Sequence, residues 1–323
     1  MDIKFDPPPP ALHSDLPPPE YASFDLERIV DRICTANLGS PMRVRQSPHA
    51  QPLPSPEAVI AIVNDLRRVI FPGYFGMSEL SAENMRFHIG SILDGAARSL
   101  VEQIRRGLCF TCSSTHEFPE CGRRSENLAT RFLSGLPRIC ELAASDVTAA
   151  YESDPAATSP NEAIFCYPGV HAITTHRIAH ELYLLGIPLI PRMMGEHAHG
   201  TTGIDIHPGA RIGSGFFIDH GTGVVIGETT VIGDRVKLFQ GVTLGAKSFP
   251  KDEFGNPIKG IPRHPIVEDD VIIYSGATIL GRVTIGRGSI IGGNVWLTNS
   301  VPAGSRVSQG ALRTEDFEGG AGI

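Results

Sequence analysis

Residues 204–245 read IDIHPGARIGSGFFIDHGTGVVIGETTVIGDRVKLFQGVTLG, and an aliphatic side chain recurs in this stretch at every sixth position, apart from one two-residue slip at Val224 and Val225. The same interval resumes at residue 267 and continues to residue 297. Neither the period of an amphipathic helix nor the alternation of a half-buried strand predicts such a pattern. The aliphatic positions are Ile206, Ile212, Ile218, Ile226, Ile232, Leu238, Leu244, Val267, Ile273, Ile279, Ile285, Ile291 and Leu297.

A period of six residues describes one flat face of a triangular prism, in which the aliphatic side chain points to the prism axis. The position four residues later carries Ala, Ser, Thr or Val in twelve of the thirteen repeats, with Phe216 as the exception. A small side chain fits the tight corner between two faces. Three hexads make one coil of about 18 residues, and coils stack at about 4.8 Å. The repeats therefore predict a parallel β-helix of a little over four coils.

One long excursion interrupts the repeats. Residues 246–266, AKSFPKDEFGNPIKGIPRHPI, are too rich in glycine, proline and charged residues to form a coil. A loop that leaves a rigid scaffold and returns in register is a favourable place for binding or catalytic residues. We therefore expect this loop to contribute to a functional site.

The sequence before the repeats divides into two parts. Residues 1–56 contain runs of four and three consecutive prolines, and proline removes backbone donors and disfavours helix and sheet. This arm is expected to be largely disordered, apart from a short helix across residues 21–36. Aliphatic side chains at helical spacing follow and predict a helical domain. The expected fold class is α+β, with the arm at 1–56, an α-helical domain at 57–203, the β-helix at 204–301 with its loop at 246–266, and a flexible tail at 302–323.

The composition excludes several classes of partner. The formal net charge is -7 and the isoelectric point is about 5.9, which leaves no diffuse basic field for nucleic acid or an anionic membrane. No run reaches the roughly 18 apolar residues of a membrane span, and the N-terminus has the pattern of neither a signal peptide nor a transit peptide. The six cysteines are interpreted as reduced thiols. We expect a cytoplasmic protein.

His220 is the side chain in the repeats that is best suited to acid–base chemistry. A neutral imidazole accepts a proton near pH 7, and its place in the hexad points it away from the prism axis. Gly221 and Gly223 leave little bulk around it. Asp205 lies 15 residues earlier, close to one coil, so its carboxylate can orient the ring from the adjacent coil. On spacing alone, two polar corner residues without a catalytic role are an equally good interpretation.

The segment GIDIHPGARIGSGFFIDHGTGVVIGETTVIG, residues 203–233, is similar to the signature of serine O-acetyltransferases. The resemblance covers about 154–301, and the long SFPKDEFGNPIKGIPRHP loop resembles a bacterial subgroup of that family. It implies that the coils wind left-handed and that acetyl-CoA donates an acetyl group to the hydroxyl of L-serine, the step that supplies O-acetylserine for cysteine biosynthesis. It also implies that Asp205 and His220 form the catalytic pair.

The resemblance assigns four residues to the amino-acid substrate. Asp154 and Asp219 match positions where a carboxylate holds the ammonium group. Arg263 and His264 match positions that meet the carboxylate, and an arginine fork suits that geometry. For Arg263 the alternative of a solvated loop cation remains open, because this loop is longer than the short family form.

The resemblance also places coenzyme A along a groove between prisms, where its amides bond to backbone groups. Gly245, Ala246, Ser275 and Gly276 match this lining. Ala246 and Tyr274 depart from the glycines found in many relatives, and both leave backbone hydrogen bonds available. Since no serine or cysteine with an adjacent base is evident, direct transfer in a ternary complex is expected rather than an acyl-enzyme.

The remaining implications concern partners. Family members form trimers or pairs of trimers, L-cysteine is the expected feedback inhibitor, and the terminal sequence DFEGGAGI resembles tails that insert a final isoleucine into O-acetylserine sulfhydrylase. Ile323 would be that residue here. A short peptide with one apolar anchor and a carboxylate is a sound recognition device, although a frayed terminus is also consistent with the sequence.

Two other activities remain open on the sequence alone. The chain could acetylate another hydroxyl, such as that of homoserine or a sugar, or it could bind the sulfhydrylase without catalysis. The opposed charges of the predicted substrate residues favour an amino acid over a sugar. A cluster of Cys109, Cys112, His116 and Cys121 has only one spacing typical of zinc sites, so no metal is expected.

Overall fold

The structure, a computed structural model, describes residues 25–38, 52–76, 79–111 and 118–310. Helix α1 (Leu26–Leu38) belongs to a unit of its own, residues 1–45, and lies where the sequence predicts a short helix. Asp25 Oδ1 accepts a hydrogen bond from the backbone N–H of Arg28, which caps its first turn. Of the predicted tail at 302–323, residues 302–310 are described, whereas residues 311–323, with Ile323, lie outside the described residues.

In the described residues, six further helices lie between α1 and the repeats. Ser55 caps α2 by accepting a hydrogen bond from the N–H of Ala58, with Pro56 in the first turn, as the SPEAV sequence predicts. The short helix α5, capped by Ser159, was not expected from the sequence because it is only seven residues long. The helices are α2 (Pro56–Ile70), α3 (Ala82–Thr111), α4 (Phe118–Ser153), α5 (Pro160–Cys166), α6 (Pro168–Leu184) and α7 (Ile190–Thr202). No helix in the described ranges combines the length and apolarity needed to cross a membrane.

The repeats form short parallel strands on three faces, which we name A, B and C. Face A holds β1 (Asp205–Ile206), β4 (Val225–Ile226), β7 (Thr243–Gly245), β10 (Thr278–Leu280) and β13 (Trp296–Leu297). Face B holds β2 (Arg211–Ile212), β5 (Val231–Ile232), β8 (Ile266–Val267) and β11 (Thr284–Ile285). Face C holds β3 (Phe217–Asp219), β6 (Lys237–Phe239), β9 (Ile272–Ile273), β12 (Ile290–Ile291) and β14 (Arg306–Val307).

All thirteen aliphatic positions of the hexads lie in strands, and eleven of them are buried in one continuous core. Ile212 and Leu297, near the two ends of the prism, are partly buried. The prediction of a helical domain followed by a parallel β-helix is therefore confirmed. The strand β14 was missed; it pairs with β12 and extends the coils beyond residue 301, where the sequence pattern ends.

The strand register explains the slip in the repeat. Val225 pairs with Thr243, which lies one coil of 18 residues later in the chain. Asp205 pairs with Val225, which lies 20 residues later, so this coil contains two extra residues. The extra residues lie in the turn from face C to face A, which contains His220. The long loop follows β7 and ends at β8, so it occupies the turn from face A to face B. We call these turns the histidine corner and the loop corner.

A buried ion pair joins the helical domain to the first coil. Arg177 of α6 contacts Asp146 of α4 at 3.0 Å, with side chains 5% and 1% exposed. Arg177 also donates to the backbone carbonyls of Ile212 and Gly213, and Asp146 accepts from the N–H of Phe216 at 2.9 Å. Because every charge is matched by hydrogen bonds, this contact fixes α4 and α6 against the base of the prism.

Candidate active site

His220 lies at the histidine corner, directly after β3. Its backbone φ is +55°, a left-handed conformation that non-glycine residues adopt rarely and that often marks functional positions. Its side chain is 74% exposed. The glycines at 221 and 223 also have positive φ, so the corner presents the imidazole without neighbouring bulk, as the sequence predicts.

Three further side chains lie at the same corner and form with the imidazole what we call the carboxylate cluster: Asp154, Tyr167, Asp219 and His220. The Tyr167 hydroxyl donates to Asp154 Oδ2 at 2.5 Å. The N–H of Ala156 donates to the other oxygen of Asp154 at 2.8 Å. Asp219 Oδ1 lies 3.8 Å from His220 Nε2, which is an ion-pair distance rather than a hydrogen bond. Asp154 and Asp219, both predicted, are thus brought to the same corner as His220.

Hydrogen bonding keeps Asp154 ionised. The Tyr167 hydroxyl and then the Ala156 N–H lower the pKa of this carboxyl, and the charge of protonated His220 adds to the effect. The hydrogen bond to Asp154 raises the pKa of Tyr167 in turn, so the phenol remains a donor. The cluster therefore presents two carboxylates beside an imidazole, a setting that attracts a cation.

The helical domain builds half of this cluster. Asp154 directly follows α4, and Tyr167 directly precedes α6. A methyl group placed on Gly169, in the first turn of α6, would lie 2.3 Å from the carbonyl oxygen of Ile218 in β3, so only glycine allows this approach. Tyr167 was missed from the sequence because a single tyrosine before a helix carries no recognisable motif.

Asp205, the predicted partner of His220, lies at the start of β1. Its neighbour Ile204 packs against Gly221, the neighbour of His220, since a Cβ on that glycine would lie 2.4 Å from the Ile204 side chain. Within the described residues, no hydrogen bond or ion pair joins the Asp205 carboxylate to the imidazole. The two residues share a corner, and their pairing remains a prediction.

The loop corner carries a second polar group, which we call the arginine cluster: Glu228, Thr229, Arg263 and His264. Arg263 Nη2 donates to Glu228 Oε2 at 2.7 Å, and Tyr183 of α6 donates to the other oxygen of Glu228. The Thr229 hydroxyl accepts from the N–H groups of Arg263 and His264. Arg263 is therefore not a solvated loop cation. Glu228 was missed, although it stands in the GETT turn that the hexads place at a corner.

His264 is buried, with its ring over Gly227, where a Cβ would lie 2.0 Å from the imidazole. The N–H of Thr229 donates to Nδ1 at 3.1 Å, so the proton of the neutral ring resides on Nε2. Burial, reinforced by the charge of Arg263, lowers the pKa of His264 to about 4. At neutral pH the ring is a neutral donor beside a guanidinium, which suits an anionic group.

The carboxylate and arginine clusters lie at opposite edges of face A. A six-residue face of extended chain is on the order of 20 Å long at about 3.3 Å per residue. An amino acid is only a few ångströms long and cannot touch both edges of the same chain. The predicted substrate residues therefore fall into two half-sites, one with carboxylates and one with cationic and neutral donors.

The predicted coenzyme A residues divide in the same way. Ser275 and Gly276 lie at the histidine corner, where three glycines of successive coils form a column. A Cβ added to Gly223 would lie 3.6 Å from Gly241, and a Cβ added to Gly241 would lie 3.4 Å from Gly276. This column rises from His220 and leaves backbone exposed along the corner. The other two residues, Gly245 and Ala246, lie at the loop corner, where the carbonyl of Gly245 accepts from the N–H of Gly281.

Tyr274, one of the departures from the family pattern, lies beside this glycine column on face C. Its ring stacks on Phe239 with centroids 5.0 Å apart, and it is 42% exposed. The stacked pair forms an apolar shelf at the edge of the corner, so the departure adds a side chain without closing the column.

No group of three potential metal ligands occurs within the described parts of the chain. Cys109 and Cys121 are buried together. The other two members of the cysteine cluster, Cys112 and His116, lie outside the described residues.

The chain is similar to known proteins over almost its whole length. The family model of bacterial transferase hexapeptide, six repeats, matches residues 264–299. The curated protein "Serine acetyltransferase, plasmid" of Synechococcus elongatus is 54% identical over 306 residues, which cover 93% of this chain and 96% of that protein.

Solved structures agree with this relationship. Entamoeba histolytica serine acetyltransferase 1 in complex with L-cysteine has a TM-score of 0.68 and 32% identity, covering 88% of this chain and 99% of that one. Neisseria gonorrhoeae serine acetyltransferase in complex with serine has a TM-score of 0.51 and 27% identity, covering 78% and 97%. By its sequence identity across nearly the full length of a curated relative, this chain belongs to the serine acetyltransferase family.

Proposed function

We propose that this protein transfers the acetyl group of acetyl-CoA to the hydroxyl of L-serine and so forms O-acetylserine for cysteine biosynthesis. The observation that carries the proposal is the exposed, left-handed His220 between the carboxylates of Asp154 and Asp219. An imidazole can act as a base here, while the carboxylates receive the ammonium group. The relatives named above are serine acetyltransferases.

The reaction proceeds by direct transfer. His220 removes the hydroxyl proton of serine as the oxygen attacks the thioester carbonyl, and a C–O bond forms. The tetrahedral intermediate then expels the thiolate, the C–S bond breaks, and the imidazolium returns its proton to sulfur. Asp205, at the same corner, orients the ring and stabilises the imidazolium. Column residues Ser275 and Gly276 offer backbone groups to the pantetheine amides.

Each active site is assembled from two chains. The two half-sites lie at opposite edges of face A, so rotation about a threefold axis would bring the histidine corner of one prism against the loop corner of the next. Arg263 and His264 would then supply donors for the serine carboxylate opposite the carboxylate cluster, and Gly245 and Ala246 would complete the coenzyme A groove. A trimer has three such sites, and pairing of trimers would give a hexamer.

One assay tests the activity. Thiol release from acetyl-CoA is measured with L-serine, L-homoserine and a set of hexoses. We expect turnover with serine and at least tenfold lower kcat/KM with homoserine, because one extra methylene moves the hydroxyl away from the base. Turnover of a hexose without serine would favour a sugar acetyltransferase. If the protein bound O-acetylserine sulfhydrylase but released no thiol from acetyl-CoA, a non-catalytic partner of that enzyme would be favoured.

Replacing Tyr167 by phenylalanine tests the carboxylate cluster. The variant keeps the ring but removes the hydrogen bond to Asp154, and bonds to charged groups contribute about 1.5–3 kcal/mol. We expect KM for serine to rise about tenfold or more, with KM for acetyl-CoA unchanged. Tyr74→Phe is the matched control, because the Tyr74 hydroxyl donates to the uncharged side chain of Asn161. Equal effects of the two variants would contradict the assignment.

The lysines of the long loop test the coenzyme A groove. Three of the five lysines in the chain lie in this loop and are exposed: Lys247, Lys251 and Lys259. They would lie beside the phosphates of a coenzyme bound at Gly245. We expect the Lys251→Ala, Lys259→Ala double variant to raise KM for acetyl-CoA about three- to tenfold. KM for acetyl-pantetheine, which lacks the phosphates, should not change. Lys237→Ala, on face C, is the control, and a rise with acetyl-pantetheine would refute the phosphate contact.

Two partners complete the proposal. L-cysteine has the charged ends of serine and would compete for the same half-sites as a feedback inhibitor. Ile323 would anchor the chain in O-acetylserine sulfhydrylase, and its deletion should abolish that complex in a pull-down. We place both activities in the cytoplasm.

A further inference from the structure

A cavity of about 490 Å³ lies where α4 and α6 meet the corner between faces B and C. Its volume falls in the range of sites for small molecules. None of its lining residues belongs to the carboxylate cluster or the arginine cluster. The polar lining consists of Arg138, His176, Arg177, His180, Glu181 and Arg211.

The floor of the cavity is rigid and carries no net charge. Arg177 is paired with Asp146, and its remaining donors contact carbonyl oxygens of the first coil. Its hydrogen bonds are therefore used within the protein, and a ligand would lie against it rather than replace its partners.

The rim is basic. Arg138 extends from α4 and Arg211 from β2, and both are exposed. In the parts of the chain that the structure describes, neither forms an ion pair, and Glu181 is the single acid of the lining. The opening therefore carries two exposed guanidinium groups. They match the oxygens of a carboxylate or a phosphate, which accept paired hydrogen bonds from arginine.

The inner wall is formed by two neutral imidazoles. His176 is 3% exposed, and its Nδ1 is buried without a hydrogen-bond partner. It stacks on His180 with ring centroids 5.5 Å apart, and His180 Nδ1 donates to the carbonyl of Pro208 at 2.7 Å. Burial lowers the pKa of both imidazoles, so they are neutral near pH 7. The inner wall therefore adds no charge to the basic rim.

We propose that this cavity binds a small organic anion that carries a carboxylate or phosphate, with Arg138 and Arg211 holding the anionic group and the neutral imidazoles of His176 and His180 forming the wall behind it. The walls of the cavity lead to the active site. Helix α4 ends just before Asp154, and α6 begins just after Tyr167. Asp146 accepts a hydrogen bond from Phe216, which directly precedes β3, and β3 ends beside His220. Occupancy therefore modulates acetyl transfer, a part of the inference that rests on the proposed function.

Binding is tested by calorimetric titration of the full-length protein with citrate, L-malate and glycerol 3-phosphate, using sodium chloride at matched ionic strength as the blank. The first two compounds test the carboxylate and the third tests the phosphate. We expect at least one to bind, with Kd at least tenfold weaker in the Arg138→Ala, Arg211→Ala double variant. Arg131→Ala, an exposed arginine of the same helix that does not line the cavity, should bind normally. No heat of binding from any of the three, or equal Kd in the double variant, overturns the proposal.

Coupling is tested separately with the compound that binds. A saturating concentration of this compound should change KM for serine at least twofold in the wild type, and the change should disappear in the Arg138→Ala, Arg211→Ala double variant. Unaltered kinetics at saturation would refute the regulatory role. Because the calorimetric result needs no turnover, failure of the acetyl-transfer proposal and failure of this site are distinguishable.

Discussion

His220→Asn should lower kcat for acetyl transfer to serine about 10²- to 10⁴-fold, the range that general base catalysis contributes. Asparagine is the informative replacement because the backbone at this position has φ +55°, and asparagine tolerates the left-handed region better than alanine does. The variant removes the base while keeping the corner. KM for acetyl-CoA should change little, since the coenzyme groove proposed above would use backbone groups farther along the corner.

Steady-state kinetics and a pH profile check this result together. The wild-type profile of kcat/KM should fall at acidic pH, because a protonated imidazole cannot accept the serine proton, and this limb should be lost in the variant. Thermal unfolding controls for the fold, and the midpoint of the variant should stay within a few degrees of the wild type. A variant that retains more than a tenth of the activity would remove His220 as the base.

The repeat shows what sequence can predict. Because each hexad pairs only with the hexads above and below it, the inward aliphatic residue is set by local period, and Ile273 or Leu244 can be placed in the core without knowledge of distant contacts. The break at Val224 and Val225 likewise predicts an altered turn at His220. The strand β14 was missed because the last coil is shorter than the others. Arg306 pairs with Ile290 of β12, only 16 residues earlier, so the six-residue period no longer holds there.

The candidate site is less accessible to such reasoning. Asp154, Asp219, Arg263 and His264 were found by resemblance, and the structure brings the first two together and the last two together. The bond from Tyr167 to Asp154 could not be predicted because it depends on how two helix ends meet.

The arginine cluster has a similar origin. Glu228 and Arg263 are 35 residues apart in the chain, and they meet only because the long loop returns to the coil from which it started. Neither the charge nor the spacing of Glu228 distinguishes it from other corner residues. Its partner can be identified only once the register of the coils is known.

Asp146→Ala should lower the free energy of unfolding by about 3–5 kcal/mol, the usual effect of breaking a buried ion pair. The reason is the guanidinium left behind: Arg177 is 5% exposed and would keep only its two carbonyl contacts. The N–H of Phe216 would also lose its acceptor. Urea unfolding of the protein at fixed chain concentration measures the loss. Asp270→Asn, which removes the charge from the exposed pairs with Arg235 and Arg287, is the control and should cause little change, because asparagine tolerates the φ of +60° at this position.

The double variant Asp146→Leu, Arg177→Met separates charge from packing. Removing both charged groups leaves no unpaired ion in the apolar interior, so it should recover at least half of the stability lost in Asp146→Ala. Its kcat should nevertheless remain below that of the wild type, because α4 and α6 lose the contact that fixes Asp154 and Tyr167 against β3. If the double variant were as unstable as the single variant, the loss would come from cavity formation rather than from the stranded charge. If it kept full activity, the ion pair would stabilise the fold without positioning the carboxylate cluster.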